Sequence, residues 1–116
     1  MKTERYIITI FGIDTRFYTD EYLSHLWEEC ADKEFLRSSK YITGLIDRKN
    51  LVCGEIRGCR LTEYAHVITT VRNPVEVETQ EVFMESLKNI LRDIRNILNH
   101  PSMTISIQGT EYYYFA

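Results

Sequence analysis

Between Thr79 and Asn99, the residues Phe83, Leu87, Ile90, Leu91, Ile94, Ile97 and Leu98 recur at helical spacing, while Glu85, Lys88, Asn89, Arg92, Asp93 and Arg95 fall largely off that stripe. An apolar stripe of this width predicts an amphipathic helix that must lie on another apolar layer. Thr79 is placed to cap its N-terminus, and Asn99-His100-Pro101 to stop it. A shorter pattern follows Thr19: Asp20 and Glu21 suit the positive end of a helix dipole, and Leu23, Leu26, Trp27 and Cys30 line one face. This first helix is predicted to run to about Glu34 or Leu36.

The remaining chain reads as strands. Arg5 to Ile13 is rich in β-branched residues, and Gly12 is placed to end or bend it. Tyr41–Ile46 and Leu51–Cys59, joined by the polar Asp47-Arg48-Lys49-Asn50, predict a β-hairpin; within its second arm Gly54 and Gly58 share a face with Val52 and Ile56. Tyr64–Arg72 alternates and is stopped by Asn73-Pro74. Met103–Ile107 alternates as a half-buried strand, and Gly109-Thr110 predicts a turn into a last short strand, Glu111–Phe115. The order predicts an α+β fold: a ferredoxin-like split βαβ two-layer sandwich. Two helices would pack on one face of a mostly antiparallel sheet of four to six strands, with the first and last long strands together in the middle. With 116 residues and neither repeats nor linker composition, residues 1–116 form one domain.

A hydrophobic fraction of 44% and a charged fraction of 27% argue against disorder, and a net charge of −3 gives no general attraction to phosphate. The start of the chain does not read as a signal peptide, and no apolar run reaches the roughly 18 to 20 residues that span a bilayer, so no membrane partner and a cytoplasmic location are expected. The three cysteines, Cys30, Cys53 and Cys59, are then expected to be reduced core thiols. On one extended strand Cys53 and Cys59 would lie roughly 20 Å apart and could not share a zinc ion without a sharp turn between them. No metal site is predicted.

Chemistry-bearing constellations are sparse. His66 shares a strand face with Tyr64, Ile68 and Thr70, and Glu55 and Arg57 are expected to face it across a neighbouring strand; this is the raw material of a general base, and His66, Tyr64, Glu55 and Arg57 are the candidate catalytic residues. The five glycines never cluster into a phosphate-binding loop, so no cofactor is expected. Arg48, Lys49, Arg57, Arg60 and Arg72, with Tyr41 and Tyr64, would furnish a sheet face for single-stranded nucleic acid, but no alternating basic and aromatic run supports it. Eight tyrosines include Tyr112, Tyr113 and Tyr114, followed by Phe115. In an extended tail Tyr112 and Tyr114 point one way and Tyr113 and Phe115 the other, so part of it is exposed and is the expected interface.

No motif ties the chain to a named family. Three functions stay open. The first is a small non-enzymatic binding or regulatory protein acting through protein–protein contacts as a homo-oligomer, with a host protein as a further partner, of the kind found among phage or mobile-element inhibitors of host systems. The second is a ligand-binding module or small enzyme with its pocket around His66. The third is a nucleic-acid binder, disfavoured by charge.

Overall fold

The computed structural model of the chain describes residues 1–60 and 63–116. Its elements run β1 (Lys2–Ile10), α1 (Asp20–Ser38), β2 (Leu45–Leu51), β3 (Glu63–Val71), α2 (Gln80–Ile97) and β4 (Met103–Glu111), with a single 3-10 turn at Glu55–Arg57 among the described residues. The sheet is antiparallel throughout, in the order β2-β3-β1-β4. This is the ferredoxin-like α+β sandwich that the order of elements predicts. One expectation is corrected: the first and last strands are neighbours, but β4 is an edge strand and β3 shares the centre with β1.

Local chemistry explains both helices. Thr19 and Thr79 each accept a hydrogen bond on the side-chain oxygen from the backbone N–H three residues on, at 3.2 Å, satisfying one of the free donors of the first turn. Ser39, in the left-handed region at φ 62°, closes α1 by donating its N–H to the carbonyl of Phe35. The α2 stripe is buried as its spacing requires, apart from Ile97, which is half exposed at the helix end. Leu23, Leu26 and Trp27 of α1 and Phe83, Leu87, Ile90 and Ile94 of α2 close over Tyr6, Ile8 and Ile10 of β1 and Ile68 of β3. In register, Tyr6, Ile8 and Ile10 lie opposite Thr70, Ile68 and His66. The alternate residues Arg5, Ile7 and Thr9 lie beside Val71, Thr69 and Val67 on the face away from the helices.

The predicted hairpin is overturned. Asp47 to Asn50 are not a turn but the middle of β2, whose residues Leu45 to Leu51 pair with Thr69 down to Glu63. A run of four polar residues reads as a connection, yet an edge strand tolerates polar groups on both faces. The segment Leu51–Cys59 is correspondingly not an arm of a hairpin. It leaves β2 and curls through the 3-10 turn, with Gly54 and Gly58 at φ 94° and 87°, which glycine alone adopts without strain. Cys53 and Cys59 are therefore neither distant nor reduced: their Cα atoms are 5.8 Å apart and they form a disulfide. Cys30 is the free, buried cysteine, its thiol pushed up to about 11 by burial. The Gly109-Thr110 turn is absent too, because β4 runs straight through it to Glu111 and the tail beyond forms no strand.

Ahead of β2, residues 41–44 form an extended strap. The indole Nε1 of Trp27 donates to the carbonyl of Ile42 at 3.0 Å, and Gly44 lies so close that a Cβ there would meet Trp27 Cε2 at 2.8 Å and Ile68 Cγ2 at 3.1 Å. Gly44→Ala is accordingly expected to destabilise the fold by about 1–3 kcal/mol, the usual cost of overpacking. Gly109→Ala, where a Cβ would meet nothing within 4 Å, is expected to be near neutral. Urea unfolding midpoints of the two variants check this.

Candidate functional site

At the end of the sheet where β1 begins and β3 ends, three connections meet: the 41–44 strap, the β3–α2 connection at 72–79, and the C-terminal tail. Together they wall a cleft of about 480 Å³, within the usual size range of small-ligand sites. The β3–α2 connection is anchored beside the cleft by an ion pair. Arg72, although charged, is almost wholly buried, and its guanidinium grips Glu4 bidentately, Nε to Oε1 at 2.8 Å and Nη2 to Oε2 at 2.9 Å. Its Nη1 donates to the carbonyls of Val77 and Glu78. The Tyr6 hydroxyl donates to Glu4 Oε1, and the Thr3 hydroxyl donates to the Arg72 carbonyl. The hydrogen bonds from Arg72 hold the Glu4 carboxyl below its usual value, and burial pushes the Tyr6 phenol well above its own. Every one of these polar side chains is thus answered, as burial demands.

The walls differ in character. Tyr41, Phe83, Tyr112 and Tyr114 contribute aromatic rings, Asn73 an amide and Glu76 a carboxylate, and none of the lining residues is basic. Several are fixed locally. Phe83 stacks on Tyr6 with centroids 4.6 Å apart. Asn73 accepts from the Val75 N–H on its side chain and from the Glu76 and Val77 N–H groups on its carbonyl, so Asn73-Pro74 is a capped turn as well as a strand stop. The tail is tied to the first strand by Tyr112 N–H to Met1 O at 2.7 Å and by the N-terminal amine to Tyr112 O at 3.0 Å. Burial, and after it the charges of Asp32 and Glu28, raise the Tyr41 phenol above its ordinary value. Chemically, such a cleft suits a flat aromatic group joined to a positive charge: rings stack on rings, and a cation is held by ring faces and a carboxylate.

The residues expected around His66 do not assemble. His66 is fully buried on the helix side of β3, its Nε2 2.6 Å from the Tyr18 carbonyl oxygen. Its Nδ1 lies 3.1 Å from Asp20 Oδ1, close in distance but aligned for no hydrogen bond. The residue opposite it on β2 is Arg48, whose guanidinium sits 4.6 Å above the Tyr64 ring. Glu55 and Arg57 are in the 3-10 turn, not on a strand facing His66. The five basic residues considered for a nucleic-acid face also disperse: Arg72 is buried in its ion pair, Arg57 and Arg60 are off the sheet, and Arg48 and Lys49 alternate to opposite faces.

The tyrosine tail does not divide into a buried and an exposed pair: Tyr112 and Tyr114 line the cleft, yet Tyr114 is 78% exposed beside Tyr113 at 69% and Phe115 at 88%. Sequence reasoning missed Tyr41, Asn73, Glu76 and Phe83 as residues of this site, because they come from segments distant along the chain and carry no shared spacing.

The ion pair yields a pH prediction. A carboxyl whose folded pKa lies below its unfolded one contributes stability above the unfolded value, and that contribution is lost as pH falls through the folded value. The protein is therefore expected to lose stability below pH 4.5, the ordinary value for Glu4, and Glu4→Gln to flatten that acid limb while lowering stability at neutral pH. Arg72→Met, which strands Glu4, is expected to cost about 3–5 kcal/mol. Urea titrations at neutral pH and about pH 3 test both.

A family model described as SAM lyase matches residues 1–116. No curated protein matches the chain. Among solved structures, a de novo designed protein, Foldit4, is similar with TM-score 0.49 and 12% identity, covering 97% of this chain and 100% of that one. A PII-like signaling protein from Thermus thermophilus is similar with TM-score 0.42 and 14% identity, covering 95% of this chain and 88% of that one.

Proposed function

Because the chain belongs to the SAM lyase family, whose model spans it from end to end, we propose that it binds S-adenosylmethionine in the tyrosine cleft and cleaves a carbon–sulfur bond of its sulfonium without water. The family match is the observation that carries the reading; the walls of the cleft support it. The adenine ring would stack among Tyr41, Tyr112 and Tyr114, with Asn73 offering an amide to its edge, and the sulfonium would be held by ring faces and Glu76.

A sulfonium already carries its leaving group. When the bond breaks, its electron pair passes to sulfur, which departs as a neutral thioether and needs no proton. The pair that replaces it at carbon comes from within the amino-acid moiety, so no protein nucleophile and no water enters the products. Positive charge disappears during that step, and an aromatic site that excludes water favours it over aqueous solution. This reading sets aside the non-enzymatic role expected first from the sequence and takes up the alternative of a small enzyme with a pocket, at Tyr41 and Tyr112 instead of His66.

Three consecutive exposed rings, Tyr113, Tyr114 at 78% and Phe115, support the further reading that the working form is a homo-oligomer in which a second copy covers the tail.

Purified protein mixed with S-adenosylmethionine in ¹⁸O-labelled water is expected to release an adenosine-bearing thioether, with no label in either product by mass spectrometry. Absence of both turnover and binding would overturn the proposal. Tyr41→Ala, removing about 1–3 kcal/mol of stacking, is expected to weaken binding by roughly tenfold or more. Light scattering is expected to give a mass above 13.8 kDa, reduced by deleting residues 113–116; a monomer indifferent to that deletion would refute the oligomer.

A further inference from the structure

The loop between β2 and β3 places side by side two disulfide-bonded sulfur atoms that an extended strand would have kept apart, together with a carboxylate. Sulfur atoms of Cys53 and Cys59 and a carboxylate oxygen of Glu63 all lie within 4.8 Å of one another, half-buried. We propose that, with its disulfide opened, this trio is a binding site for one zinc ion, so that the loop alternates between an oxidised, stapled state and a reduced, metal-bound one.

The argument rests on what holds the loop. Its curl is not imposed by the sulfur bridge alone: Arg57 N–H and Cys59 N–H both donate to the Gly54 carbonyl, at 3.0 and 3.1 Å, and Gly58 N–H donates to the Glu55 carbonyl at 2.9 Å. Gly54 and Gly58, at positive φ, accommodate the two sharp changes of direction. Glu63 is fixed independently, paired with Leu51 as the closing residues of the β2–β3 ladder. Reduction therefore leaves the two cysteines facing each other with Cα atoms about as far apart as the 5.8 Å of the stapled form. Two thiolates on a tetrahedral zinc need sulfur atoms only about 3.8 Å apart, from zinc–sulfur bonds of about 2.3 Å, which side-chain rotation supplies. Two sulfurs and one carboxylate oxygen suit zinc over the harder cations, and three protein ligands leave the fourth position to water. Arg57 and Arg60, in the same loop, offset the negative charge that remains.

The chemistry balances. Two molecules of a low-molecular-weight thiol deliver two electrons and two protons to the bridge, giving two protein thiols and one disulfide of the reductant. Zinc then takes the two sulfurs as thiolates and releases both protons. Disulfide and metal exclude each other, since each uses both sulfur atoms.

The test uses the full chain, reduced with a phosphine and titrated with Co²⁺ as a coloured substitute for zinc. The reduced protein is expected to develop a thiolate-to-cobalt charge-transfer band saturating at one ion per chain and displaced by Zn²⁺. The oxidised protein should show none. Cys59→Ser should abolish the band, Glu63→Gln should weaken binding by about tenfold or more, and Cys30→Ser should change nothing. No band in the reduced protein, or a band undiminished in folded Cys59→Ser, overturns the proposal. If Cys59→Ser fails to fold, alkylation of the reduced unmutated chain decides: zinc is expected to protect Cys53 and Cys59 together, and equal labelling with and without zinc refutes the site. None of these readouts depends on turnover of S-adenosylmethionine.

Discussion

The Arg72 guanidinium ties together parts of the chain that lie far apart in sequence. Standing where β3 ends, it binds Glu4 of β1 through two of its nitrogens and the Val77 and Glu78 carbonyls ahead of α2 through the third. A buried cation is tolerable only when each donor is answered and its charge is matched, and here groups from two separate segments meet both conditions. The geometry of the β3–α2 connection follows from this, and with it the positions of Asn73 and Glu76 on the cleft wall. The same carboxylate receives the Tyr6 hydroxyl, and Tyr6 stacks on Phe83, a residue of the cleft wall.

The cleft itself is aromatic and acidic, without a basic lining residue. Such a surface suits a flat ring joined to a cation, and the proposed substrate, S-adenosylmethionine, carries an adenine ring and a pyramidal sulfonium whose reactivity is intrinsic. A substrate that brings its own leaving group asks the protein for orientation and exclusion of water more than for a nucleophile. On the proposed reading the work falls to rings and a carboxylate of kinds found in any protein, and their arrangement in space distinguishes them.

The excursion between β2 and β3 shows how the backbone conformation of two residues changes a chemical reading. As an extended arm, Leu51–Cys59 would hold its cysteines far apart on one face; with Gly54 and Gly58 at positive φ, the same residues bring them to bonding distance. Isolated glycines in an alternating stretch are compatible with a bulge, a close approach or a turn, and the backbone hydrogen bonds to Gly54 decide among them.

Both helices were legible in the residues alone, because a period of 3.6, a capping threonine and a stopping proline are local properties that need no partner to be recognised. The α+β class and the ferredoxin-like order of elements followed from the same source. The tail was legible in part: exposed aromatic rings were expected there, but strand alternation does not sort them, because the tail forms no strand and Tyr113, Tyr114 and Phe115 are all exposed. Tertiary structure decided the rest. The polar run Asp47–Asn50 became a strand only through its ladder to β3, and His66 became a buried strand residue only through the helix packed over it. Glu4 and Arg72, 68 residues apart, could not be paired by any pattern in the chain. Local periodicity fixes which faces must be buried, whereas the site is made of long-range contacts that exist only once those faces have met.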